Sequence, residues 1–78
     1  MDPFLGQIVL NSVNFTPDGW HVCNGALLSV NDNSGLFSLL GIRYGGDGVS
    51  NFALPKLESP DGLSQYIIAT RGFYPARS

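Results

Sequence analysis

Cys23 is the only cysteine, so the chain can close no internal disulfide. His21 is the only histidine, so no cysteine–histidine cluster exists to hold a structural zinc. Charge is also scarce. Asp, Glu, Lys and Arg make up 13% of the residues, about half the ~25% usual in soluble domains. The four basic residues are scattered and the formal net charge is −2, which leaves no basic stripe to meet nucleic-acid phosphates. No apolar run approaches ~18 residues, so no membrane span is expected. Met1-Asp2-Pro3-Phe4 has neither a basic n-region nor an apolar h-region and does not read as a Sec signal peptide.

What remains is a short, apolar chain. Its 78 residues fit one domain, 1–78, and 44% of them are hydrophobic. A chain of this size buries only about 60–65% of the surface its unfolded form exposes, so its core is marginal. Domains this small usually rely on disulfides, a metal or oligomerisation, and only the last is open here. With few charges, the surface must carry apolar or neutral polar groups, and contiguous apolar patches mark interaction sites.

The pattern predicts an α+β, mainly β fold of short strands and loops with one short helix. Gln7–Val13 reads as a strand with apolar residues on both faces, the signature of a strand covered on two sides. In so small a domain the second cover is expected from another chain. Pro17-Asp18-Gly19 makes a turn, and Trp20–Cys23 follows as a short strand. Asn24-Gly25 then signals a type I′ hairpin, with Ala26–Leu28 as the returning strand. A helix is expected from Asn31 or Asp32 to Leu40, with Gly41 at its C-terminus and an apolar stripe of Leu36, Phe37, Leu39 and Leu40. Ile42–Asn51 is a glycine-rich loop and Phe52–Pro55 is extended. Ser59–Gly62 is a turn and Tyr66–Thr70 a strand.

Several ordered motifs point to a family. Pro3-Phe4-Leu5-Gly6-Gln7-Ile8 opens the pattern, and Pro17-x-Gly19-Trp20-x-x-Cys23-Asn24-Gly25-x-x-Leu28 continues it. Leu36-Phe37-Ser38-Leu39-Leu40-Gly41-x-x-Tyr44-Gly45-Gly46-Asp47-Gly48 and Phe52-x-Leu54-Pro55-x-Leu57 complete it. Together they resemble the phage tail collar domain, including bacterial members of the microcystin-dependent-protein type. Tyr66-Ile67-Ile68-Ala69 and Gly72-Phe73-Tyr74-Pro75-x-Arg77 are similar to the ends of many bacterial members. The chain departs from the pattern at two places. Lys56 stands where members commonly carry Asp or Asn, and the long insertion that often follows is cut to Glu58–Gly62. That insertion is where a target-binding surface is expected, so its loss leaves the minimal structural unit. The resemblance implies a particle- or fibre-associated structural role with self-association, located outside the cell or on a virion, and no catalysis or cofactor.

Each chemical motif has a structural reading beside it. His21 and Cys23 share a strand face, which invites a nucleophile–base pair, but no third orienting group has recognisable spacing. They read instead as a rim histidine and a core-lining cysteine. Gly45-Gly46-Asp47-Gly48 lacks the following helix and Lys-Ser/Thr of a phosphate loop. It reads as a tight loop with positive φ angles and Asp47 bonded to local N–H groups. Trp20, Phe15, Phe37, Phe52 and Tyr44 are expected in the core rather than as a sugar-stacking platform.

Phe4, Leu5, Ile8, Leu10, Phe73 and Tyr74 are the candidate self-assembly residues, and strand addition by the N-terminal segment would explain Phe4. Gly19, Trp20, Cys23, Asn24, Gly25, Phe37, Gly41, Gly45, Gly46, Asp47, Gly48, Phe52 and Pro55 are expected to be turn and core residues. The expected partner is a second copy of the chain, or a phage-tail or cell-surface component. The alternative is a receptor- or glycan-binding tip module.

Overall fold

The computed structural model describes residues 3–75; Met1, Asp2 and Arg77 lie outside that range. Five strands and one helix run in the order β1 (Ile8–Asn11), β2 (Trp20–Val22), β3 (Leu27–Ser29), α1 (Ser34–Leu40), β4 (Asn51–Ala53) and β5 (Gln65–Ala69). They form a three-stranded antiparallel sheet ordered β1-β5-β2 and a two-stranded antiparallel sheet of β3 and β4. The mainly β character with one short helix therefore holds.

The last strand in sequence is the middle strand in space. Ile8 faces Ile68 on one side of β5 and His21 faces the same Ile68 on the other. Ile67, Ile68 and Ala69 are buried, as expected of a strand paired on both edges. The core lies between the two sheets and α1 and consists of Cys23, Leu36, Phe52, Leu54 and Ile68. Phe37 and Phe52 add a tilted ring contact, with centroids 5.4 Å apart.

Three expectations need correction. Asn24-Gly25 does not close a hairpin between β2 and the next segment, because β2 pairs with β5 and β3 with β4. Only Gly25 takes positive φ, at 81°, whereas a type I′ turn needs two such residues. The Asn24 side chain instead accepts the Ala26 N–H, and Asn24 bridges Lys56, so the dipeptide carries the chain from one sheet to the other.

The helix is shorter than the pattern suggests and starts at Ser34. The Asn33 side chain donates to the Ser29 carbonyl rather than capping the helix, and residues 30–33 are spent in a turn. Gly41 ends the helix at φ 58°, its N–H bonded to the Phe37 carbonyl. Strand β1 is likewise cut short, because the Asn11 side chain folds the following loop back. Its amide donates to the Phe15 carbonyl and its oxygen accepts the Val13 N–H.

The third correction concerns the aromatics. Phe52 is fully buried and Phe37 packs against the core, but Phe15 and Tyr44 are exposed and Trp20 is half-buried. Phe15 lies in the loop that Asn11 folds back, and Tyr44 precedes the glycines whose backbone does the packing in its place.

At Gly46, φ is 96° and an added Cβ would sit 2.5 Å from the Phe52 Cα and 2.9 Å from the Asn51 oxygen. Gly62 also has positive φ, at 76°, but its Cβ would meet nothing within 4 Å. Gly62→Ala is therefore expected to cost about 1 kcal/mol from backbone strain alone. Gly46→Ala is expected to cost more than ~2 kcal/mol, since the β4 backbone must also move. Urea denaturation of the two variants measures the difference.

Candidate functional site

The glycine loop before β4 is built around one carboxylate. Asp47 Oδ1 accepts the backbone N–H groups of Val49, Ser50 and Asn51 at 2.8, 2.9 and 3.1 Å, and its second oxygen accepts the Ser50 hydroxyl. These bonds favour the charged form and hold the carboxyl well below the usual Asp range. Asp61 repeats the device before β5, accepting the N–H groups of Leu63 and Ser64 and the hydroxyls of Ser64 and Ser59. Its carboxyl is depressed for the same reason. With Asp47 committed to its own loop and Gly46 backed against β4, the segment is a structural turn.

His21 and Cys23 do not make a working pair. Cys23 is 1% exposed and burial pushes its thiol up, away from the reactive thiolate. The His21 ring is turned onto its own strand, its Nδ1 lying 2.9 Å from the Val22 carbonyl as a donor. Among the described residues no three His, Cys, Asp or Glu side chains converge as metal ligands, and no helix is long and apolar enough to cross a membrane.

The two ends of the described chain are clasped together. The Leu5 N–H donates to the Phe73 carbonyl at 2.7 Å and the Phe73 N–H to the Pro3 carbonyl at 3.0 Å, forming a parallel Phe4–Phe73 bridge. Gly72 faces the Pro3 backbone so closely that no Cβ fits. The Gly6 N–H then bonds to the Ala69 carbonyl, tying the clasp to β5. These bonds occupy the segment that strand addition would require, so Pro3–Leu5 pairs within its own chain.

The clasp sorts the candidate assembly residues. Leu5 turns inward and packs against the core. Phe4, Ile8, Leu10, Phe73 and Tyr74 remain exposed, at 58, 40, 48, 60 and 55%. The Tyr74 hydroxyl also lies 2.8 Å from the Ser38 hydroxyl on α1. Val13, Leu27, Ile42, Val49 and Leu63, which the sequence reading did not single out, are exposed as well. The scarcity of charge was the signal that such residues exist, but not where they lie.

Beside the clasp is a cleft of about 450 Å³ walled by Pro3, Trp20, Gly72 and Phe73. Asp18 and Arg71 stand at its rim, 3.8 Å apart and largely in solvent, which makes the ion pair a weak one.

The fold and these features define a small structural β module held by loop staples. Comparison with known families agrees: residues 6–60 match the phage tail collar domain, and the chain belongs to that family. Membership marks it as a phage tail fibre-type structural component, a class not typically enzymatic. A search of curated proteins finds no match.

The loop carboxylates make stability pH-dependent. Both folded-state values lie below the unfolded value of about 4, so between the two the unfolded chain binds more protons. Their stabilisation is present in full above that unfolded value and is lost as pH falls below it. Denaturation at pH 7 and pH 3 is expected to show a loss of stability for the native chain and a smaller one for Asp47→Asn/Asp61→Asn.

Proposed function

We propose that residues 1–78 form one tail-collar domain that works as a self-assembling structural subunit, either in a phage-tail or fibre particle or in an extracellular filament. The supporting observation is where the apolar surface lies. Among the described residues thirteen large hydrophobic side chains are exposed, against eight buried hydrophobic residues. For a chain with 13% charged residues, a surface this apolar calls for cover by other subunits. Phe4, Ile8, Leu10, Phe73 and Tyr74 are the assembly residues in this reading. Sedimentation velocity with negative-stain electron microscopy is expected to reveal a discrete oligomer or filaments. A clean monomer at micromolar concentration would overturn the reading.

The cleft beside the clasp supports a second reading, a receptor- or glycan-binding tip module. The Trp20 and Phe73 rings suit the apolar face of a sugar, and Asp18 and Arg71 offer an acceptor and donors for its hydroxyls. A glycan array decides this. Reproducible binding that disappears in Phe73→Ala and Arg71→Ala supports it, and no binding by the native chain removes it.

A further inference from the structure

The ladder of the three-stranded sheet leaves its β1 edge with no hydrogen-bonded outward group among the described residues. Hydrogen bonds join Ala69 N–H to the Gln7 carbonyl on one side of β5 and Cys23 N–H to the Tyr66 carbonyl on the other. Antiparallel pairing alternates, so the β1 residues bonded to β5 are Gln7, Val9 and Asn11. The N–H and C=O groups of Ile8 and Leu10 therefore point away from the sheet, and no hydrogen bond among the described residues uses them.

The other edges are plugged in part. Among the described residues the Trp20 carbonyl and Val22 N–H on β2, and the Leu27 N–H and carbonyl and Ser29 N–H on β3, lack a hydrogen bond, but each edge has at least one group covered. On β2, Trp20 N–H bonds to the Pro17 carbonyl, and the Val22 carbonyl accepts from both Asn24 N–H and His21 Nδ1. The glycine loop covers β4, whose Ala53 N–H reaches the Gly45 carbonyl. On β3, the Ser29 carbonyl takes two donors from Asn33. Strand β1 has no such cover. Proteins usually protect an open edge with a charge, a proline or a bulge. Here the run from Pro3 to Pro17 contains no charged residue, and Ile-Val-Leu-Asn forms the edge itself.

The geometry points to a second copy of this chain as the occupant, its own β1 pairing antiparallel about a two-fold axis through Val9. This register places Ile8 of one copy opposite Leu10 of the other. The outward groups of both strands are then satisfied reciprocally, and four half-exposed apolar side chains, Ile8 and Leu10 from each copy, lie together on one face. A neutral edge meets its own image without charge repulsion, whereas a charged partner would find no complement on it. The two three-stranded sheets become one continuous sheet in the order β2-β5-β1-β1-β5-β2. This inference rests on the self-association reading and names its contact.

The test uses the full chain in sedimentation velocity over a concentration series. Leu10→Lys is expected to raise the dimer dissociation constant by ~100-fold or more, because a charge is placed opposite Ile8 at the centre of the contact. It should leave the circular dichroism spectrum and melting of the monomer intact, because the side chain is already half in water. Ile8→Glu/Leu10→Lys is expected to restore the dimer, since the register sets each new carboxylate against a new ammonium. In the native dimer the Ile8 and Leu10 amides should gain protection from hydrogen exchange as concentration rises.

A native chain that stays monomeric overturns self-association and this contact together. Native assembly that survives Leu10→Lys, or occurs without protection of those two amides, overturns the β1 contact alone and leaves self-association standing.

Discussion

The pairing of β5 with two strands at once is the constraint on which the rest of the molecule depends. Ile68 sits at zero exposure because Ile8 and His21 flank it across the ladder and the core covers its face. Both neighbours are short, of four and three residues, and neither reaches the other. The clasp hangs from the same strand through Gly6 and Ala69. The route to the second sheet also starts there, since Cys23 is held by Tyr66 before the chain turns at Asn24. Strand pairing of this kind is worth little alone, and the buried side chains of β5 supply its strength at ~1.5–3 kcal/mol for each large one.

The carboxylates at Asp47 and Asp61 show how so small a chain holds its loops without disulfide or metal. Each gathers several N–H and hydroxyl donors within four residues, so a long connection behaves as a defined turn. The same economy has an effect at the surface. Two of the six acidic residues are engaged in this way, and the remaining charges are thinly spread. A core cluster of five buried residues thus lies beneath a surface of neutral and apolar groups.

Much of the architecture was legible because local chemistry decided it. The runs around Ile8, Trp20 and Ile67 read as strands, the Leu36–Leu40 stripe read as a helix, and the Asp47 loop read as a carboxylate-bonded turn. The collar motifs were legible as an ordered set, from Gly6 to the turn at Pro60. Strand partners were not. Asn24-Gly25 is a strong hairpin signal, yet the Asn24 side chain satisfied the turn locally and freed β2 to pair 45 residues away with β5. The core aromatics were misjudged at Phe15 and Tyr44 for a related reason. Size predicts burial, but the loop conformations imposed by Asn11 and by Gly45 and Gly46 pointed those rings outward. The inward turn of Leu5 depends on a contact between the two ends of the chain, which no periodicity encodes.

The position of β5 also sets an order in time. A ribosome delivers β1 and β2 long before residues 65–69, and synthesis at ~5–20 residues per second makes that wait one of seconds. During it the earliest strand has no partner within its own chain, and it lies in a neutral, apolar stretch suited to pairing with its like. On a crowded polysome the nearest such partner is the same strand of the next nascent chain. Pairing through Ile8 and Leu10 leaves the β5-facing edge free, whereas pairing through Val9 and Asn11 would block it, and arrival of the last strand decides which contact closes first.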